Sequence, residues 1–494
     1  MSQSETGTIF YGPIVNPKSL SSFQTLPRCL VAVGPSGEID WIEEDVPKRA
    51  LQDILAQHRS LDVPLLTLKH GEFLLPGFVD THTHAPQVPN IGSGQQYELL
   101  DWLHEVTFPM EARFGDVDFA RRAYSLIVKR IIDSGTTTCC YYGTLHLEAT
   151  TILAEIVNGY GQRAFVGKCN MDRNSPEHYV EPSVSESIDA TLCLISRIRS
   201  LPQPRLVEPV LTPRFAISCT SDLMYQLGDI ARADPSLRIQ THMSENLGEV
   251  RKTLDLFPTA SSYADVYDKH GLLGQRTILA HAIHLEQDEV VLVKERGAGV
   301  SHCPASNFNL RSGVCPVGKL LDHGIKVGLG SDVSGGFSPS ILTAIQQASI
   351  ASKVLAMQAP IASSGPTRYA GHHLPLATLL HLATLGGAQV CGLENRIGSF
   401  APGKAFDALL VSVRGDAANP GLWGVDLVKE LHAEPADKEQ LDTWLERFLF
   451  TGDDRNIKRV YVQGRWIGGA EHDPCGPGRS SLVTDVVQSM LYDM

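Results

Sequence analysis

The sequence predicts an α/β protein, a (β/α)8 barrel joined to a small β-sandwich domain that both chain ends build together. Three observations predict it. Eight apolar strand-like runs alternate with helix-like stretches between about residues 74 and 399. The first of these runs ends in a His-x-His pair, at the rim where this fold keeps its active sites. Short β-rich segments flank the repeating region at both ends of the chain.

Residues 1–73 are expected to form the N-terminal part of the small domain. IFYGPIV and CLVAVG are β-rich, GPSGE is a turn signal before IDWI, and a helical piece from Val46 to Arg59 interrupts the strands. The barrel is expected over residues 74–399. Its strand candidates are LLPGFVDTHTH, TTTCCYY, RAFVGKCNMD, LVEPVLTPRFAISC, RIQTHMSEN, TILAHAIH, GAGVSHCPASN and IKVGLGSDV. DFARRAYSLIVKRIIDSG and EQDEVVLVKERG are helix-like and each ends in glycine, a usual helix stop. Eight such repeats over roughly 320 residues fit the normal size of the fold. After Gly398 the alternation ends. FDALLVSV and KRVYVQGRWIGG read as strands, so residues 400–494 are expected to complete the small domain and add a tail. The last stretch, DPCGPGRSSLVTDVVQSMLYDM, reads at most as a terminal helix.

Composition narrows the function classes. An apolar share of 43% with 20% charged residues is ordinary for a soluble globular protein. A net charge of −13 without a basic stripe argues against nucleic-acid partners. No run approaches 18 apolar residues, so no membrane span is expected. MSQSETGTIF lacks the basic and apolar regions of a secretory signal, which points to the cytoplasm. The ten cysteines include no CxxC pair and are expected to be buried free thiols.

The residues that carry chemistry sit at strand ends. Alternate residues of a strand share a face, so His82 and His84 project together. His242 and Glu245 end the fifth candidate strand, His281 the sixth and Asp332 the eighth. One such histidine is weak evidence, but several strand ends meeting at one barrel mouth are difficult to explain as packing. His82, His84, His242 and Asp332 therefore read as ligands of one metal ion. Two-metal versions of such sites usually need a bridging ligand, often a carbamylated lysine at the fourth strand end. Here that strand ends at Pro213-Arg214, and Lys168 lies on the third. Histidines with a carboxylate suit Zn²⁺, with iron the less favoured fit. Such an ion lowers the pKa of water from about 15.7 to about 7. Asp332 can take the water's proton, Glu245 can shuttle protons to a ring nitrogen and then to the leaving group, and His281 can hold the water or stabilise developing charge. A different zinc deaminase pattern, H-x-E with a later P-C-x-x-C, is excluded because no P-C-x-x-C exists.

The chain resembles the amidohydrolase superfamily and, within it, the guanine deaminases. The resemblance rests on PGFVDTHTHAPQ (76–87), LDWLHEVTFPMEARF (100–114), LTPRFAISC (211–219), THMSEN (241–246), LAH (279–281), SHCPASN (301–307), GLGSDVSGG (328–336) and GSFAPGKAFDALLV (398–411). It implies hydrolysis of guanine to xanthine and ammonia, in purine catabolism or salvage. It also implies one zinc per chain on His82, His84, His242 and Asp332, with Glu245 and Asp332 moving protons. His281 would stand beside the water and the substrate, and Gln87, Arg214 and Phe215 would hold the purine. Physical chemistry agrees: Phe215 offers an aromatic wall, Gln87 both donors and an acceptor, and Arg214 donors only. Trp102 and Phe108 are further wall candidates. A homodimer is implied by the resemblance alone. The alternatives are another aminohydrolase of the superfamily, acting on cytosine, a triazine or a different purine, and a catalytically dead barrel serving as a scaffold.

Overall fold

The computed structural model describes residues 7–358, 368–422 and 437–472. The sequence element expected over 473–494 lies outside the described residues. Strands β1 (Thr8–Ser19) and β2 (Ser22–Val33) form a long antiparallel hairpin, and β3 (Ile39–Glu43) follows across the predicted turn, where Gly34 N donates to Glu38 O at 2.9 Å. The helical interruption is a single-turn Lys48–Ala50 leading into Leu51–Gln57, whose Leu51 and Leu55 are buried. Strands β4 (Leu65–Thr67) and β5 (Glu72–Pro76) both run parallel to β1.

The run read from sequence as one strand, LLPGFVDTHTH, is two. Its first part belongs to β5 in the small sheet, and its second is β6 (Phe78–His84), the first barrel strand. Gly77 divides them because a Cβ there would stand 2.1 Å from Thr137 Oγ1. Only glycine lets the chain pass that close, so the strand must change sheets at this point.

The barrel continues through β7 (Thr136–Tyr142), β8 (Arg163–Gly167), β10 (Val207–Pro213), β11 (Arg238–Met243), β12 (Thr277–His281), β13 (Gly299–His302) and β14 (Lys326–Leu329), each parallel to its neighbour. A two-residue strand, β9 (Cys169–Asn170), extends β8 beyond Lys168 along β10. β14 returns to β6, where Thr81 Oγ1 donates to Leu329 O at 2.9 Å and Asp332 N to His82 O at 2.9 Å. Helices between strands follow the predicted stops. Val117–Asp133 is capped by Asp116, buries Tyr124, Val128, Ile131 and Ile132 at helical spacing, and ends before Gly135 at φ 92°. Gln287–Arg296 ends on Gly297 at φ 71°.

The chain then re-enters the first sheet. β15 (Ala408–Ser412) pairs with β5, and β16 (Ile457–Val462) and β17 (Arg465–Gly468) complete the order β17-β16-β15-β5-β1-β2-β3. Both chain ends thus build one separate sheet. Its core is aromatic: Phe10 stacks on Phe406 at 4.7 Å and meets Tyr461 edge-on at 5.4 Å. A buried two-pronged ion pair ties it to the barrel, Arg163 at the start of β8 donating to Asp407 at 2.9 and 3.2 Å.

Nine cysteines are described, all free and all but Cys193 buried. Among the described residues no helix is long and apolar enough to cross a membrane.

Candidate functional site

Strand ends bring five ligand-capable side chains to one point. His82 and His84 come from β6, His242 from β11, His281 closes β12, and Asp332 follows β14. Ligand atoms of His82, His242, His281 and Asp332 all lie within 4.8 Å of one another. His84 joins them: its Nε2 is 3.1 Å from His242 Nε2 and 3.5 Å from Asp332 Oδ1. His82 Nε2 is 3.1 Å from Asp332 Oδ1, and His281 Nε2 is 3.6 Å from Asp332 Oδ2. Two ligand atoms each about 2.1 Å from one ion lie about 3.0–3.5 Å apart at the usual angles. The spacings therefore fit a single ion.

The state of the nitrogens fits as well. His242 Nδ1 donates to Arg214 O at 2.7 Å and His281 Nδ1 to Asn307 Oδ1 at 2.9 Å. Each bond leaves the Nε2 lone pair facing the cluster. His82 Nε2 and His281 Nε2 are buried without a hydrogen-bond partner. For His82 the short approach to Asp332 is not aligned as a hydrogen bond, as expected of atoms that face a common point rather than each other. Orphaned buried nitrogens are costly, and an ion satisfies them together.

Local backbone makes the convergence possible. Gly330 admits β14 beside β6 and β13, since a Cβ there would stand 2.6 Å from Ser301 Oγ and 3.0 Å from His82 Cβ. Buried Asp80 then fastens the joint, accepting from Ser331 Oγ at 2.5 Å, Ser331 N at 3.0 Å and His82 N at 3.2 Å. Ser244 (φ 50°), His281 (φ 72°) and Asp332 (φ 44°) are in left-handed conformations. Non-glycine residues rarely adopt these, and they concentrate where a site is held under strain.

Burial, with the neighbouring histidines, pushes His84 and His242 well below the ordinary histidine range. Burial also lowers His82, against the pull of Asp332. At His281 burial is outweighed by the carboxylates of Glu245 and Asp332, so its pKa is raised. Asp332, although buried, is held well below the carboxylate range by His82, His281 and His84. Glu245 goes the other way. Burial lifts it to about 7, and its Oε2 lies 3.4 Å from His281 Nε2. Such a carboxyl can carry or release a proton at neutral pH.

A cleft opens beside the cluster, lined by His84, Gln87, Leu99, Trp102, Leu103, Arg214, Phe215, His242, Glu245, Leu310 and Asp332. The structure thus brings Gln87, Arg214 and Phe215 together with the metal-capable cluster. Phe215 faces it at 6.3 Å from His242. Trp102 is a cleft wall. Phe108 is not; its ring packs against the Arg214 guanidinium at 5.2 Å. Lys168 is buried in an ion pair with Glu181 and also donates to Cys169 O at 3.0 Å, apart from the cluster.

Sequence reasoning missed the residues behind this front row. Glu111 bonds Arg214, Gln87 and Tyr179, Asn307 orients His281, and Asp80 anchors Asp332's loop. A charged residue inside an apolar stretch, as in TFPMEARF or GFVDT, was the available signal for two of them.

The Amidohydrolase family matches residues 73–467. The chain is 43% identical over 470 residues to the probable guanine deaminase of Schizosaccharomyces pombe, covering 94% of this chain and 84% of that protein. It is 40% identical over 460 residues to guanine deaminase of Mus musculus, covering 93% and 96%. The fold is similar to the crystal structure of guanine deaminase from C. acetobutylicum with bound guanine in the active site, at a TM-score of 0.79 and 33% identity, covering 93% of this chain and 99% of that one.

Proposed function

The chain belongs to the amidohydrolase family and, within it, to the guanine deaminases, and from that membership we propose that it hydrolyses guanine to xanthine and ammonia. The observation that carries this reading is one cavity holding both a metal-capable cluster and the Gln87–Arg214–Phe215 cleft.

His82, His84, His242 and Asp332 would hold a single divalent ion, with His281 turned to the reacting water; the donor set favours zinc over iron. When bound, the ion makes hydroxide available at neutral pH by lowering the pKa of water to about 7. Phe215 packs on the purine face, while Gln87 and Arg214 meet its polar edge. Asp332 accepts a proton from the water as oxygen adds to the carbon bearing the amino group. Glu245, poised near neutrality, delivers a proton to the adjacent ring nitrogen, takes one back from the added hydroxyl as the carbonyl forms and passes it to the departing amine, which leaves as ammonia; the proton held by Asp332 then restores the Glu245 carboxyl. His281, between Glu245 and Asp332, steadies the water by hydrogen bonding. A single ion is favoured because β10 ends at Pro213 with no lysine, and Lys168 is committed to Glu181. The same reading includes a homodimer in the cytoplasm acting in purine catabolism or salvage, and a barrel of residues 74–399 between the two parts of the small domain.

Release of xanthine and ammonia from guanine, with and without a chelator, tests the proposal. Fast, chelator-sensitive release of both products supports it. A metal-loaded protein that leaves guanine untouched moves the substrate to cytosine, a triazine or another purine.

A further inference from the structure

We infer that Glu111 is the positioning residue that sets the donor and acceptor pattern of the purine cleft, acting through Gln87 and Arg214. The inference rests on the guanine reading for its substrate, but its geometry stands independently.

Glu111 is fully buried and receives four hydrogen bonds. Arg214 Nη1 donates to Oε2 at 2.6 Å and Arg214 Nη2 to Oε1 at 3.0 Å. Gln87 Nε2 donates to Oε1 at 2.8 Å, and the Tyr179 hydroxyl to Oε2 at 2.7 Å. An ionised carboxylate offers about four lone-pair sites. All are occupied, so Glu111 has nothing left for a substrate and does not line the cleft.

What it does instead is remove ambiguity from two residues that line it. The carboxamide of Gln87 can be turned over, exchanging donor for acceptor. Here its Nε2 faces Glu111, which only accepts, and its Oε1 faces the backbone N–H of Ser334 at 3.1 Å, which only donates. One orientation satisfies both. It leaves one N–H and one lone pair for the cleft. Arg214 is buried as well, and its charge is tolerated because Glu111 grips one side of the guanidinium. Its remaining N–H groups can serve only an acceptor. The cleft therefore presents donors from Arg214 beside a donor–acceptor pair from Gln87. That pattern fits a purine with a carbonyl next to a ring N–H, and it penalises one lacking them, because buried donors are then left unpaired.

An amide at position 111 would place an NH₂ group where only donors now point. On the Oε1 side it forces Gln87 to turn over, facing Ser334 N–H with its own NH₂; on the Oε2 side the Tyr179 hydroxyl can turn to accept, but Arg214 Nη1 is then left facing a donor. Calorimetry on the metal-loaded enzyme compares binding of hypoxanthine, which has the carbonyl and adjacent N–H, with unsubstituted purine, which has neither. Guanine turnover is measured alongside. The wild type should prefer hypoxanthine. Glu111→Gln should shrink that preference by about tenfold or more and raise KM for guanine more than it lowers kcat, with metal content unchanged. Combined with Gln87→Ala, its effect on KM should be smaller than the sum of the separate effects. A preference and KM within about twofold of wild type, or strictly additive effects, overturns the inference. Should Glu111→Gln fail to fold, Tyr179→Phe removes one of the four donors without removing charge. It should still narrow the preference severalfold, and an unchanged preference overturns the inference. A wild type that binds hypoxanthine selectively yet never converts guanine refutes the proposed function and leaves the role of Glu111 intact.

Discussion

Replacing Glu245 with glutamine separates catalysis from stability. The carboxyl is buried beside His281, accepts from Ser312 Oγ at 3.2 Å, and has its pKa raised from 4.5 to about 7. As the proton shuttle it should supply roughly 10²–10⁴-fold of rate, about 3–5 kcal/mol of barrier. Glu245→Gln should lose that much turnover while keeping its metal. Stability should move the opposite way. A carboxyl whose pKa rises on folding contributes stability that is present below its unfolded value of 4.5 and is lost as pH climbs through about 7. Above that, the ionised group weakens the metal-free fold by up to about 3 kcal/mol. The glutamine cannot ionise and can still accept from Ser312. Urea unfolding of both chelated proteins at pH 5 and pH 8 should show the variant gaining on the wild type as pH rises. Titrating groups that do not face Glu245, Asp80 included, are common to both and drop out of the difference, whereas His281, raised in part by Glu245, loses that part in the variant and shifts the difference the same way. Turnover within about tenfold of wild type at equal metal content would falsify the shuttle role. Loss of the metal would make Glu245 a ligand.

Three other substitutions probe other parts. Asp332→Ala removes the carboxylate shared by His82, His84 and His281, so elemental analysis should show metal loss together with abolished guanine turnover. Gln87→Ala should raise KM for guanine by tenfold or more, the order expected when buried polar partners go unmet, with metal content unchanged by elemental analysis. Arg163→Ala leaves Asp407 buried without its partner between barrel and small sheet. It should destabilise the protein by about 3–5 kcal/mol in urea unfolding, with KM of the folded enzyme unaltered.

The front row of the site was legible because barrel periodicity fixes where a strand ends, and strand ends fix where side chains point. His82, His84, His242, His281 and Asp332 needed only that rule. The division of LLPGFVDTHTH at Gly77 was not legible. Its cause is a close approach to Thr137, some sixty residues away in sequence, and apolar runs look alike in either sheet. Glu111 was hidden for the same reason. Its partners Gln87, Tyr179 and Arg214 come from separate loops, and nothing local distinguishes a saturated buried carboxylate from a solvated one. Of the two aromatic wall candidates, for which plain packing is an equal reading of the sequence, Trp102 lines the cleft and Phe108 packs against Arg214 instead.

The arrangement also explains why the site needs a row of support. Four histidines packed within ring-contact distance cannot all be charged, and burial keeps three of them below their usual range. Left-handed backbone at Ser244, His281 and Asp332 costs about 1–3 kcal/mol per residue. Such a cluster does not hold itself together. Asp80 ties the Asp332 loop to β6 with three hydrogen bonds, two from Ser331 and one from His82 N, Asn307 and the Arg214 carbonyl fix two imidazoles, and Glu111 fixes the cleft. Each of these supports acts on a group that faces the reaction while facing away from it itself. Their removal should therefore alter affinity, metal retention or specificity before it alters the fold, which is the behaviour that distinguishes them from ordinary core residues.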